Sequence, residues 1–274
     1  MASRVDLHTH TTASDGTLTP AELFDQAAAI GIRFLAISDH DSTAGCQAAQ
    51  ALQGRAPELR VIPAIEMNAE GPWACHLLGY FIDIQSPELQ RALARCRERR
   101  LERVRAMTQK LQALGVGVEF DRVAALARGG SLGRPHVADA LMEKGVVKTR
   151  QEAFDRFLKK DGPAYVGGDS PTAPESIQII RRAGGIPVLA HPSYDGSSSL
   201  IESLVGVGLM GIEAYYPEHG RSLTQHYVDL ARRCGLVATG GSDFHGPRTG
   251  RAALGSVAVP ESVINDLENA RKKI

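Results

Sequence analysis

Two histidines stand two residues apart near the start of the chain, in Val5-Asp6-Leu7-His8-Thr9-His10, and Asp243 and His245 repeat that spacing after a later apolar run. In a β-strand, side chains at i and i+2 leave the same face, so His8 and His10 can grip one metal ion if their imidazoles are neutral and held by partners. Asp15, His40, Glu66, His76 and His191 are further residues of ligand type, in short polar motifs mostly at the ends of apolar runs. Taken singly, each reads as readily as a polar residue satisfied in a loop. Nine of them gathered at strand ends read as a metal centre.

The elements that must position these residues follow a repeating pattern. Residues 5–10 alternate with period 2 and predict a strand. Thr19-Pro20-Ala21-Glu22 offers an N-cap, a proline at the first helical position and a reciprocal glutamate, which predicts a helix from Thr19 to near Gly31. Residues 34–38 read as a buried strand leading to Asp39-His40-Asp41, residues 60–65 as one leading to Glu66, and residues 76–81 as a third short run. Later, 185–190 lead into His191, 211–216 are strand-like, and 236–239 precede Gly240-Gly241-Ser242-Asp243-Phe244-His245. Helical patterns lie between them. Such alternation predicts a parallel sheet or barrel, with reactive groups at the C-terminal ends of strands. The middle breaks the rhythm: an Arg-rich run from Pro87 to about Gly115, then 121–128, 135–144 and 151–159, are all helix-like with no strand between. The chain therefore divides into a first barrel part over 1–86, a helical insertion over 87–165 that caps the barrel mouth, and a second barrel part over 166–274.

Composition narrows the class. With 274 residues, 43% of them hydrophobic, the chain can build a real core as one α/β unit carrying an insertion. Lysine plus arginine and aspartate plus glutamate both number 31, so any anion site must be local. No apolar stretch approaches the roughly 20 residues of a bilayer helix. The N-terminus has no signal-peptide core, which predicts a protein without a membrane partner. Cys46, Cys75, Cys96 and Cys234 form no CxxC pair and read as reduced thiols in a cytoplasm.

His8-Thr9-His10, Asp15, Ser38-Asp39-His40-Asp41, Glu66, His76, Ala190-His191-Pro192 and Gly241-Ser242-Asp243-Phe244-His245 together resemble the PHP (polymerase and histidinol phosphatase) metal-dependent phosphoesterases, in family order over about 1–85 and 166–250. The resemblance implies a distorted (β/α)7 barrel holding two to three divalent ions. It places one on His8, His10, Glu66 and Asp243, a second on Asp15, His40 and His245, and a third on Glu66, His76 and His191. Asp15 stands where some members have histidine, and its carboxylate favours Mn, Mg or Fe over Zn, with Mn expected first. Such ions suit phosphate esters, whose uncatalysed hydrolysis is so slow that enzymes accelerate it by up to about 10²¹-fold. They polarise phosphoryl oxygens and lower the pKa of bound water toward about 7.

In Ser131-Leu132-Gly133-Arg134-Pro135-His136-Val137, Arg134, His136 and free backbone N–H groups fall at a helix start, which is either an ordinary solvated helix end or an anion site. A Gly-Arg-Pro-His motif also resembles the stand-alone PHP phosphoesterases, so Arg134 and His136 are expected to bind substrate phosphate. Arg248 is a second candidate for that role. The eight basic residues between Arg91 and Lys110 read mainly as a solvated face. Asp41 reads as an orienter of His40 or a general acid, and His219 and His226 as surface residues. The resemblance implies a nucleotide substrate: a nucleoside 3',5'-bisphosphate losing its 3'-phosphate, or a short oligonucleotide, with no obligate protein partner. Its alternatives are a histidinol-phosphate phosphatase and a non-catalytic metal-binding module. Amidohydrolases also begin with His-x-His but use a lysine carbamate, and no lysine precedes Lys110.

Overall fold

The computed structural model describes residues 4–168, 170–192, 198–247 and 249–274. Its seven strands are β1 (Val5–Thr9), β2 (Phe34–Ile37), β3 (Arg60–Ala69), β4 (Cys75–Tyr80), β5 (Ile186–Leu189), β6 (Gly211–Tyr215) and β7 (Val237–Gly240), paired in that order in one sheet. The sheet curls until β1 meets the chain just beyond β7. There Thr9 bridges Phe244, and His10 N donates to Phe244 O at 2.8 Å. The result is a nearly closed α/β barrel.

One strand departs from the parallel arrangement expected. β4 runs antiparallel to both β3 and β5. Only residues 70–74 separate β3 from β4, whereas a parallel crossover needs about a dozen residues or more. The reversal has a consequence for the site. The start of β4, not its end, lies beside the ends of β2 and β3, and His76 is its second residue. β3 also runs past Glu66 to Ala69, because Glu66 and Asn68 pair with Leu78 and His76. Glu66 is thus held inside a strand rather than in the loop after one.

The outer helices form where the local signals place them. α1 (Pro20–Ala29) begins with the full Thr19/Glu22 capping box and a first-turn proline. α2 (Ala44–Gln50) follows β2. α7 (Ala173–Arg182) repeats the box with Thr172 and Glu175. α8 (Ser198–Gly206) and α9 (Arg221–Cys234) continue the ring, and α10 (Ser262–Arg271) follows β7. The barrel interior packs Val5, Leu7, Ile62, Leu78 and Val188 together with Val263, Ile264 and Leu267 of α10.

Between β4 and α7 lie only helices among the described residues: α3 (Pro87–Ala113), α4 (Phe120–Leu126), α5 (Arg134–Glu143) and α6 (Arg150–Ala153), the last running into a π turn over Phe154–Leu158. They share an apolar cluster of their own, including Val104, Leu111, Val123, Val137 and Leu158. α3 buries Leu89, Leu93, Cys96, Arg100, Val104, Met107 and Leu111, a stripe at three- and four-residue spacing. Arg100 therefore occupies a core position in a run that otherwise reads as solvated. No described helix is long and apolar enough to cross a membrane.

Candidate active site

Two buried aspartates fix the loops that carry the ligand-type residues. Asp39, after β2, accepts hydrogen bonds from Thr11 N, Thr11 Oγ1 and Ser14 Oγ at 2.8, 2.7 and 2.6 Å, which locks the loop bearing Asp15. Asp6 accepts from Ser242 N and Oγ at 2.8 and 2.6 Å and from Gly255 N at 2.9 Å, which anchors the segment bearing Asp243 and His245. Gly241 lets that segment approach β1, since a Cβ there would stand 2.3 Å from His8 N. His191 and Asp243 adopt left-handed φ angles of 30° and 51°, a strain worth about 1–3 kcal/mol each when held by surrounding structure.

The nine residues come together. His8 Nε2 and His10 Nε2 are 3.1 Å apart, and Glu66 Oε2 lies 3.3 and 3.1 Å from them. Asp243 Oδ1 lies 3.4 and 3.2 Å from the same two nitrogens. Donors placed tetrahedrally at about 2.0–2.2 Å from one ion stand roughly 3.3–3.6 Å apart, so this spacing suits a shared cation. A second group, His10, Asp15, His40 and His245, and a third, His40, Glu66 and His76, also bring their donor atoms within 4.8 Å of one another. His76 Nδ1 and His191 Nε2 approach Glu66 Oε1 at 2.8 and 3.3 Å. Glu66 therefore faces donors on both of its oxygens.

The chemistry of this donor set fits divalent cations. Asp15 Oδ1, His40 Nδ1 and Glu66 Oε2 are buried yet make no hydrogen bond, an arrangement that costs free energy unless a cation completes it. Burial alone would raise the Glu66, Asp243 and Asp15 carboxyls. The surrounding histidines instead hold all three well below the usual carboxylate range. In return, and against the effect of burial, Asp243 and Glu66 push His10 up to about 10. The pocket calls for positive charge, which a divalent ion would supply.

A cavity of about 540 Å³ opens onto Asp15, His40, Glu66, His76, His191, Asp243 and His245, while His8 and His10 are fully buried and do not line it. The helical segment contributes Pro135, Arg150, Gln151 and Phe154 to its wall. Two arginines with no signal in the sequence, Arg150 and Arg251, line it as well. Arg150 is braced by a two-point pair with Asp139 at 2.6 and 2.7 Å. Arg251 Nη1 donates to Asp243 Oδ2 at 2.9 Å, beside Tyr216, whose hydroxyl donates to the same oxygen at 2.9 Å.

Arg134 and His136 do not line this cavity. Half-buried Arg134 is held against Phe154 and Tyr165 instead: its guanidinium lies 5.5 and 5.9 Å from those rings, and Nη1 donates to Leu158 O. His136 is turned back on its own helix start, where Nδ1 accepts from Gly133 N at 3.1 Å, and it faces an adjoining cleft instead. Arg248 lies outside the described residues. Asp41 is occupied by Arg100, whose Nε and Nη2 reach Oδ2 at 2.7 and 2.6 Å, so it clamps α3 to the barrel. His219, expected on the surface, is buried beside Tyr216 and Tyr227 with Nδ1 2.9 Å from Ala214 O.

Glu213 on β6 is the residue that the motifs leave out. Fully buried, it accepts from His8 Nδ1 at 2.9 Å and from His191 N at 2.9 Å. A carboxylate behind a ligating imidazole fixes the ring's tautomer and raises its basicity. The one signal in the sequence is a lone carboxylate inside an apolar strand, Gly211-Ile212-Glu213-Ala214-Tyr215.

A barrel with imidazole and carboxylate donors clustered at one mouth defines a metal-dependent hydrolase, and relatives make the class specific. No protein-family model matches the chain. It is 36% identical over 263 residues to a 3',5'-nucleoside bisphosphate phosphatase from Chromobacterium violaceum, covering 92% of this chain and 91% of that one. It is 34% identical to the 5'-3' exoribonuclease Rnm of Salmonella typhimurium, over 88% and 85% of the two chains. A phosphoribosyl 1,2-cyclic phosphate 1,2-diphosphodiesterase from Eggerthella lenta is also 34% identical, over 88% and 94%. Among solved structures, a protein from Bifidobacterium adolescentis assigned as a metal-dependent phosphoesterase superposes with a TM-score of 0.89 at 30% identity, covering 97% and 96% of the chains. The chain belongs to the PHP family of metal-dependent phosphoesterases. It is a hydrolase of phosphate esters.

Proposed function

We propose that the enzyme removes the 3'-phosphate of nucleoside 3',5'-bisphosphates, giving the 5'-monophosphate and inorganic phosphate, with short oligonucleotides as related substrates. The observation that carries this reading is the presence of two guanidinium groups, Arg150 and Arg251, in the same cavity as the metal-donor cluster. Arg150 uses Nε and Nη2 on Asp139 and Arg251 uses Nη1 on Asp243, which leaves further guanidinium N–H groups in the cavity for a second anion besides the one at the cluster. A substrate with two phosphates on one sugar uses both. The relatives named as a bisphosphate phosphatase and an exoribonuclease agree with it. The cavity wall carries no lysine among the described residues, which speaks against a carbamate-bridged amidohydrolase site.

Two to three divalent ions, Mn first and Mg, Fe or Zn after it, would be held by His8, His10, Glu66 and Asp243, by Asp15, His40 and His245, and by Glu66, His76 and His191. When bound, such ions polarise the phosphoryl oxygens and make water nucleophilic near neutral pH. The chain's own residues do the rest. Glu213 orients His8, Arg251 braces Asp243 and offers its remaining N–H groups to a phosphoryl oxygen, and Arg150 grips the phosphate that stays on the product. Remote binding of that kind helps to position the reacting centre. The free thiols of all four cysteines suit a reducing compartment such as the cytoplasm.

The test is phosphate release from a panel of esters by chelator-treated enzyme reloaded with Mn. A nucleoside 3',5'-bisphosphate is expected to be the best substrate. Preference for histidinol phosphate would overturn the reading.

A further inference from the structure

The active-site cavity does not end at Arg150. A cleft of about 170 Å³ shares Asp15 and Arg150 with it and continues past His136 to Thr12 and Arg128. Those last two residues also line a further pocket of about 380 Å³. The three hollows thus run in series along the seam between the loop after β1 and the helices of 87–165.

The end pocket differs in chemistry from the active site. Its walls carry two guanidiniums, Arg97 and Arg128, four hydroxyls, Thr12, Ser42, Thr43 and Ser131, two glutamine amides and no carboxylate. Ser131 Oγ is buried without a hydrogen-bond partner, in a residue only 3% exposed. Arg97 is steadied by donating from Nη1 to Asp41 O at 3.4 Å, and Arg128 is exposed at a left-handed turn with φ of 48°. The two walls are pressed together: Ser131 N donates to Ala13 O at 2.9 Å, and a Cβ on Gly130 would stand 2.4 Å from Thr12 O. A cationic, hydroxyl-rich pocket without acids selects an anion that accepts many hydrogen bonds. Aromatic side chains, on which bases would stack, are missing from its described lining.

On the phosphoesterase reading given above, we infer that this pocket is a backbone-phosphate subsite for the portion of a short oligonucleotide that extends beyond the nucleotide in the active-site cavity. Arg128 and Arg97 mark the path, which leaves the active-site cavity beside Asp15 of the metal-donor cluster, where the scissile phosphate would sit and from which the rest of the oligonucleotide continues. The subsite reads phosphate and not base, so it confers preference for length without preference for sequence.

The experiment compares wild type with Arg128→Gln, and with Arg97→Gln as a second variant, using two probes. One is a nucleoside 3',5'-bisphosphate; the other is a 5'-phosphorylated tetranucleotide, whose binding is read by fluorescence anisotropy on chelator-treated protein and therefore needs no turnover. Arg128→Gln should weaken the tetranucleotide about three- to fivefold, as expected for one partly exposed charge contact. It should also flatten the slope of log K against log salt by about 0.7. Bisphosphate kcat/KM should stay within about twofold. Equal losses on both probes, or no loss on either, would overturn the subsite while leaving the bisphosphate reading intact. A tetranucleotide defect in an enzyme that does not cleave the bisphosphate would uphold the subsite and remove the proposed substrate. Inorganic phosphate is the control ligand: if Arg128→Gln abolishes its thermal stabilisation of the protein but leaves tetranucleotide binding unmoved, the pocket takes free phosphate and the inference fails.

Discussion

Glu213 Oε1 stands 2.9 Å from His8 Nδ1, directly behind the ring whose Nε2 faces Glu66, Asp243 and His10. The same carboxylate holds His191 N through its other oxygen. One buried side chain on β6 therefore sets the orientation of ligand-type residues on β1 and after β5. Glu213→Gln keeps the shape and removes the charge. Metal affinity or activity should fall about 10- to 100-fold, as for other residues that orient a ligating histidine. Metal titration of the purified variant checks it, and an unchanged affinity would show that His8 needs no such support.

Because the donors form overlapping groups that share His10 and His40, with Glu66 Oε2 also 3.3 and 3.1 Å from His8 and His10, at least two and up to three ions should bind each chain. Elemental analysis of reconstituted, active enzyme measures the count. No more than one metal per active chain would contradict a multinuclear centre.

Arg150 and Arg134 separate binding from stability. Arg150→Gln should lower kcat/KM by roughly 10- to 150-fold, the effect of losing about 1.5–3 kcal/mol of charge-assisted contact. Arg134→Ala, which removes a stacking cation from Phe154 and Tyr165, should instead cost about 0.5–2 kcal/mol of stability with smaller kinetic change. Steady-state kinetics beside denaturant melts of both variants would reveal the reverse order if Arg134 is the phosphate ligand.

The Asp41–Arg100 pair joins α3 to the barrel, with side chains only 2% and 7% exposed. Removing one partner of a buried pair strands the other charge, so Asp41→Asn should destabilise the fold by about 3–5 kcal/mol. Urea unfolding reads this directly. A loss below 1 kcal/mol would mean that the clamp is solvated in practice.

Most ligand-type residues are legible because strand period and strand ends are local features: His8 and His10 share a face, and the motifs of His40, His191, Asp243 and His245 follow short apolar runs. Helix starts were legible for the same reason, as at Thr19 and Glu22. What sequence could not show were pairings set by distant chain. The reversal of β4 follows from a short link whose meaning depends on which strands are neighbours. Arg100 reads as one of many arginines until Asp41, 59 residues away, is seen to face it. Arg150 and Arg251 have no motif at all; the folded helical segment and the loop after β7 bring them to the cavity. The lone glutamate in β6 is visible in the sequence, but its partners, His8 Nδ1 and His191 N, are set by chain 205 and 22 residues away.

In the proposed function a substrate carries two phosphates, one for the metal-donor cluster and one for the guanidiniums. Comparing kcat/KM for a nucleoside 3',5'-bisphosphate with that for the matching 3'-monophosphate tests it most directly. Loss of the 5'-phosphate should lower kcat/KM by at least about tenfold, or about 1.4 kcal/mol. Equal turnover of the two, or of histidinol phosphate, would contradict the two-phosphate site and leave only the broader phosphoesterase assignment.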